Sequence, residues 1–270
     1  MQAIDPVWNR PLCYDGDGED HASLATLSSL CSVNEDFAKD VKVPDNVALG
    51  WLPVKNQERI GSCGGHSNVG VGQVCHYWST GKLPDFSELW AYIRAQSRDG
   101  LAGRDCGSTA NAHIHLATVE GYKTEQEVPY RGQSYPVNWR EIAAIHGAPS
   151  LRLKQVVRVK SWQQLRQGLA ARWAAMAFGP WFNVPRDGQV WQLQINQAGG
   201  HAWYFPGEFR NGNPRGMNSW GIEFADRGRF DFYEQPFNQW LTHPHTYVFL
   251  LSELAEAKPR NVDFTKELWK

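Results

Sequence analysis

Asn56-Gln57-Glu58-Arg59-Ile60-Gly61-Ser62-Cys63-Gly64-Gly65-His66-Ser67 is the stretch on which the reading of this 270-residue chain turns. A cysteine follows Gly61-Ser62, a glutamine lies six residues before it, and small residues open a helix at that cysteine. A helix start offers unpaired N–H groups and the positive end of the peptide dipoles. Both favour a thiolate, the nucleophilic form of cysteine. His201 lies 138 residues on, in Gly199-Gly200-His201-Ala202, and supplies an imidazole able to take and return a proton. Asn218 lies a further 17 residues on, in Asn218-Ser219-Trp220-Gly221. Its amide oxygen accepts from one ring N–H and orients the imidazole without competing as a base, and Trp220 is expected to cover that contact. Gln57 and the backbone N–H of Cys63 form a donor pair for a developing oxyanion. The types and their order point to a Cys-His-Asn thiol enzyme.

Outward from Cys63, the pattern predicts a helix to Tyr77 or Trp78 that ends near Gly81. Its glycines signal close packing rather than intrinsic helicity. Ser87 caps a second helix, Glu88 to Ser97; Thr109 or Ser108 caps a third, Ala110 to Val119, stopped by Gly121. Trp139 to His146 reads as a fourth, and Ser161 caps a fifth from Trp162 to Trp173. The texture then changes. Ala174 to Phe178, Ala202 to Phe205, Arg215 to Trp220, Gly228 to Tyr233 and Thr246 to Leu251 read as strands between Gly, Pro and Asn turns. Helices first and strands later predict an α+β protein. Its expected divisions are an extension over 1–45, a helical lobe over 46–150, a β-rich lobe over 151–252 and a charged tail over 253–270. The extension holds an acidic turn, residues 15–20, read as a solvated loop, and a possible short helix from Ala22 to Cys31.

Composition excludes several classes. The formal net charge is −1 with no basic block, so no nucleic-acid surface is expected. No run of about eighteen apolar residues exists, so no membrane span is expected. The first residues show no basic-then-apolar pattern, so a cytoplasmic or particle-packaged protein is expected rather than a classically secreted one. The five cysteines are Cys13, Cys31, Cys63, Cys75 and Cys106. The four other than Cys63 could pair, but free, partly buried thiols are the favoured reading. Cys63 and His66 have metal-pair spacing, but no second pair accompanies them, so neither metal nor cofactor is expected, and His66 is read as packing. His113-Ile114-His115 and Cys75-His76 are read as structural or surface groups, His243-Pro244-His245 as a turn. Glu208 and Glu223 lie near the motifs without an assigned role.

Pro53-Val54-Lys55-Asn56-Gln57, Gly61-Ser62-Cys63, Gly200-His201-Ala202 and Asn218-Ser219-Trp220-Gly221 resemble the papain-like cysteine peptidases over about residues 50 to 235, with Glu127-Val128-Pro129-Tyr130 and Asp226-Arg227-Gly228 as further landmarks. The resemblance implies a two-lobed fold. A helical lobe carries the nucleophile and a β-barrel-like lobe carries His and Asn, with an extended polypeptide substrate between them. It also implies peptide hydrolysis through an acyl-thioester on Cys63. Gly64, Gly65, Gly199, Gly200, Met176 and Trp220 are the expected substrate-binding residues. The chain departs from the family where Gly64 replaces the tryptophan after the nucleophile and Ile60 replaces a disulfide cysteine. A second family tryptophan is replaced near Phe224, and the usual helical pro-region is not recognised. Gly64 and Gly65 suggest a wider, wetter cleft. A cell-wall or isopeptide amidase or transpeptidase, and a binding scaffold with little turnover, are therefore alternatives to an endopeptidase.

Overall fold

The computed structural model describes residues 3–4, 11–12 and 38–252. The acidic turn, the expected helix from Ala22, Cys13, Cys31 and the C-terminal tail lie outside the described residues. Strands β1 (Ala3–Ile4) and β2 (Pro11–Leu12) pair antiparallel. The helices are α1 (Cys63–Thr80), α2 (Glu88–Asp99), α3 (Ala110–His115), α4 (Trp139–Ala144), α5 (Trp162–Ala170) and α6 (Glu234–Leu241). The remaining strands are β3 (Gln155–Arg158), β4 (Ala174–Phe182), β5 (Gln189–Val190), β6 (Ile195–Phe205), β7 (Phe209–Arg210), β8 (Asn213–Met217), β9 (Arg229–Phe232) and β10 (Tyr247–Ser252).

Local chemistry sets most boundaries. The Ser87, Thr109 and Ser161 hydroxyls accept from the backbone N–H groups of Trp90, Ala112 and Gln164, each capping a helix as expected. Gly81 ends α1 with φ 73°, a left-handed conformation that suits glycine. The expected third helix is interrupted: α3 ends at His115 and the chain widens into a π-turn over Leu116–Glu120, closed by Gly121 N–H on Leu116 O at 2.8 Å. The strand expected to run to Trp220 stops at Met217, which leaves Asn218 in the loop beyond β8.

The main sheet runs β3-β10-β4-β6-β8-β9-β5, with β7 added beside β8. All pairs are antiparallel except β5 with β9. It is an open sheet rather than a hydrogen-bonded closed barrel: β3 and β5 lie at its two ends. Helix α1 packs against β6 and β4 on one side and α2 and α3 on the other. It is therefore the element shared by the helical and β-rich parts. The Ser67 hydroxyl donates to Trp203 O at 2.6 Å and ties α1 to β6. A Cβ on Gly70 would lie 2.4 Å from the Tyr204 ring, and one on Gly72 equally close to Tyr122, so the glycines admit rings against the helix. Trp90, Trp173, Trp181, Trp203, Trp220 and Trp240 are fully buried, which makes core packing the main use of tryptophan here. No described helix is long and apolar enough to cross a membrane.

Candidate active site

Two segments far apart in sequence are zipped together at the site. Gln57 N–H donates to Ser219 O at 2.7 Å and Gly221 N–H to Lys55 O at 3.0 Å, with Asn56 and Trp220 paired between them. This short antiparallel ladder fixes the turn before Cys63 against the loop that carries Asn218. The turn is also clamped from within. Gln57 Nε2 donates to Ile60 O at 3.1 Å, and Ser62 N–H donates to Ile60 O at 2.8 Å. The Tyr130 hydroxyl donates to Gln57 O at 2.7 Å, so at 2.7 Å from Ser62 Oγ it accepts from that serine. Asp105 Oδ1 receives Gly61 N–H at 2.9 Å and the Tyr92 hydroxyl at 2.7 Å. Ile60 is buried where the resembled family places a cysteine.

The hydrogen bonds settle two ambiguous side chains. Ile60 O can only accept, so Nε2 is the Gln57 atom beside it, and Oε1 receives the Ser219 hydroxyl at 2.5 Å. Asn218 Oδ1 accepts Ser219 N–H at 2.7 Å, which fixes the amide with its oxygen toward His201. His201 Nε2 lies 2.7 Å from that oxygen and must donate to it. The neutral ring therefore carries its proton on Nε2, and the lone pair is on Nδ1, which has no hydrogen-bond partner among the described residues. The Trp181 and Trp220 rings stand 4.6 and 4.7 Å from His201. Phe224 meets Trp220 edge-on at 5.2 Å. Asn218 Nδ2 and the indole N–H groups of Trp181, Trp203 and Trp220 also lack hydrogen-bond partners among the described residues, so such buried polar atoms gather around this imidazole. Each costs about 1–3 kcal/mol, and native interiors hold few of them.

Cys63 opens α1 and takes no part in a disulfide; the same holds for Cys75 and Cys106. Cys63 is 1 % exposed and His201 0 %, so the candidate pair is enclosed in this conformation. Strands β1 and β2 lie beside β6, the strand that carries His201. His66 is buried one turn into α1. Its Nδ1–H donates to Ser62 O at 3.0 Å and its ring meets Tyr130 edge-on at 4.9 Å, in keeping with a packing residue. Burial drives its pKa down to about 3, so it stays neutral.

The expected substrate-binding residues divide. Gly199 and Gly200 flank His201 on β6, with Gly200 opposite Pro180 and His201 opposite Gly179. Trp220 lies against the imidazole. Met176 is fully buried inside the sheet, opposite Tyr204 and Phe249, and presents nothing to a cleft. Gly64 and Gly65 do not widen the cleft as expected. A Cβ on Gly64 would lie 2.4 Å from His113 Nε2, and one on Gly65 would lie 2.6 Å from Glu88 O and 3.1 Å from Tyr92. The space is filled by His113 and by α2, because these elements pack directly on the helix backbone. The sequence reading did not single out His113, Trp181, Ser219 or Ser62 in these positions. Ser62 and Ser219 had a local signal in Gly61-Ser62-Cys63 and Asn218-Ser219-Trp220.

No group of histidine, cysteine and carboxylate side chains among the described residues has metal-site geometry.

No family model matches the chain. Over 90 residues it is 33% identical to a probable cysteine protease, RD19D, of Arabidopsis thaliana, covering 31% of this chain and 24% of that protein. Over 94 residues it is 34% identical to cysteine proteinase 1 of Zea mays, covering 33% of this chain and 25% of that protein. The chain thus spans about a quarter of the length of these curated relatives. Among solved structures, xylellain, a cysteine protease from Xylella fastidiosa, matches with TM-score 0.63 and 18% identity, covering 83% of this chain and 90% of that one. The Carica candamarcensis cysteine protease CMS1MS2, solved in complex with E-64, matches with TM-score 0.58 and 19% identity, covering 78% and 100%. The chain has the papain-like cysteine protease fold.

Proposed function

We propose that this chain is a thiol-dependent endopeptidase that hydrolyses peptide bonds through an acyl-thioester on Cys63. The observation that carries the proposal is the wiring of His201. Asn218 holds the Nε2 proton, and the ring's basic Nδ1 has no partner among the described residues. In this reading Nδ1 takes the Cys63 proton, and the thiolate at the head of α1 attacks the scissile carbonyl. Gln57 Nε2 and Cys63 N–H stabilise the oxyanion. His201 then returns the proton to the leaving amine, the thioester forms, and a water deprotonated by His201 hydrolyses it. Ser219 serves both sides: its hydroxyl orients Gln57 and its N–H orients Asn218. Trp181 and Trp220 exclude water from the His201–Asn218 bond. The substrate is a polypeptide in extended conformation; no nucleic acid, membrane or cofactor enters the reaction.

The test is reaction with a peptidyl epoxide followed by intact-mass analysis. Fast single-site labelling at Cys63, lost in His201→Ala, is expected, together with cleavage of a denatured protein mixture. Labelling no faster than at Cys75 or Cys106 would overturn the proposal. That outcome would favour a second reading, a papain-like binding scaffold with little turnover, for which the enclosure of Cys63 and His201 speaks. Cleavage of peptidoglycan fragments alone would favour an amidase. With His113 and Tyr92 occupying the space beside Gly64 and Gly65, little argues for a branched substrate.

A further inference from the structure

A cavity of about 320 Å³ lies outside this site, lined by Leu52, Val54, Ile222, Arg215, Arg227 and Arg229, with Ala48, Gly50, Glu208 and Asp226 completing the wall. None of Cys63, His201, Asn218 and Gln57 lines it. Its volume is at the lower end of the range for small-molecule sites. One wall is apolar and includes Ile222, which is 60% exposed and is one of the few large hydrophobic side chains on the described surface. The other wall is cationic.

The carboxylates there are largely used. Glu208 Oε2 accepts from Arg229 Nε at 2.6 Å, and its Oε1 accepts Leu49 N–H at 3.0 Å. Asp226 Oδ2 accepts from Arg210 at 2.8 Å and Arg215 at 2.5 Å, and both oxygens of Asp231 are held by the same two arginines. The arginines are not used up. Arg229 employs Nε and Nη1, Arg215 employs Nε and Nη2, and the Arg227 side chain makes no ion pair or hydrogen bond among the described residues. Arg227 is exposed and stands on a left-handed backbone, φ 54°, in a tight loop pinned by Asn218 N–H on Gly228 O at 2.9 Å. Four arginines against three carboxylates leave one positive charge, and a guanidinium presents five donors suited to a carboxylate.

We propose that this cavity binds a carboxylate carrying an apolar side chain, the chemistry of a peptide's free C-terminal residue. The carboxylate lies on Arg227 and the spare donors of Arg215 and Arg229, and the side chain lies on Leu52, Val54 and Ile222. The proposal does not depend on peptidase activity, because its readout is binding.

The probe is N-acetyl-leucine, titrated into the isotopically labelled full chain and followed by backbone amide shifts. Saturable shifts are expected at Ile222, Arg227 and Gly228 and around Leu52 and Val54. N-acetyl-leucinamide, which lacks the charge, is expected to bind at least about tenfold more weakly, and Arg227→Gln to weaken the acid by about tenfold, as for loss of one charge-assisted hydrogen bond. Ile222→Ser, an exposed change that spares the fold, is expected to weaken N-acetyl-leucine but not acetate. The absence of a saturable shift would overturn the proposal. So would equal binding of acid and amide, or indifference to Arg227→Gln. Acetate binding as well as N-acetyl-leucine would mean an adventitious ion only. Shifts confined to Gly199–Ala202 would place the ligand at the His201 strand and equally overturn it.

Discussion

Two histidines in this molecule are equally buried and oppositely wired. His113 and His201 are both 0% exposed. His113 spends both ring nitrogens. Nδ1 accepts from Asn68 Nδ2 at 3.2 Å, and Nε2–H donates to Ser108 Oγ at 2.7 Å. Asn68 cannot flip to undo this: its Nδ2 also donates to His113 O at 3.1 Å, and its Oδ1 accepts the Tyr122 hydroxyl at 2.9 Å. His201 spends one nitrogen on Asn218 and keeps the other. Burial alone therefore does not mark a base. In the proposed mechanism the base is the ring that keeps a lone pair once the donors around it have been assigned. His113 completes the packing beside Gly64, and His201 is the proposed base.

The sharpest way to break this comparison is to remove each ring in turn. His201→Ala is expected to lower epoxide labelling and peptide turnover by on the order of 10⁴-fold while circular dichroism stays unchanged. His113→Ala is expected to do the reverse. Labelling per folded molecule stays within about threefold, while denaturant unfolding shows a loss of about 2–4 kcal/mol from the cavity and the stranded Asn68 and Ser108 groups. A folded His113→Ala protein that no longer labels would end the distinction.

Gln57 tests the other half of the proposed site. Gln57→Ala removes a donor but no proton carrier, so turnover is expected to fall by about 10²–10³, or about 3–4 kcal/mol of barrier. The labelling rate should fall far less, because epoxide opening makes no tetrahedral oxyanion at a carbonyl. Equal loss in the two assays would mean that Gln57 acts by holding the turn before Cys63.

The sequence disclosed the parts of the site that depend on local chemistry. The start of α1 at Cys63, the caps at Ser87, Thr109 and Ser161, and the order of His201 and Asn218 follow from small residues, hydroxyls and short motifs. The parts built by distant contacts were illegible. Ser62 meets Tyr130 across 68 residues and Gln57 meets Ser219 across 162, and no periodicity encodes either. β5 and β7 are two residues each, too short to alternate. β4 is buried along nearly its whole length, because α1 and α5 both pack on it, so its continuous apolar run extends past Phe178 through Gly179-Pro180. α6 was missed although Pro236, in its first turn, is compatible with a helix start. Gly64 misled for a related reason. A missing side chain looks like open space in sequence, and here His113, 49 residues away, fills it.

Acid pH probes the burial of His113 in a second way. Burial holds His113 at about 3, far below the ordinary 6.5. A depressed histidine stays neutral in the fold and takes up a proton on unfolding, so its contribution to stability is lost as pH falls from 6.5 toward 3. In His113→Ala the stability measured by urea unfolding is expected to decline less steeply over that window than in the parent chain. An unchanged slope would show that His113 reaches a proton through local opening.

The smallest effect concerns a carboxylate on the same face of α1. Glu88 opens α2, its carbonyl lies against Gly65, and it is 2% exposed. Burial raises its pKa to about 7, against the pull of Lys55, whose Nζ stands 3.4 Å from Oε1. Because the folded value lies above the unfolded 4.5, the folded state holds this proton more tightly. Its contribution to stability is then fullest below 4.5, declines as pH rises to about 7 and is constant above. Glu88→Gln cannot ionise. Its stability relative to the parent should rise across that window by about 3 kcal/mol and then level off, as read from urea midpoints at a series of pH values. A flat difference would mean that Lys55 compensates the buried charge in full. The partner of a buried group, rather than its depth, would then set its charge on this face of α1.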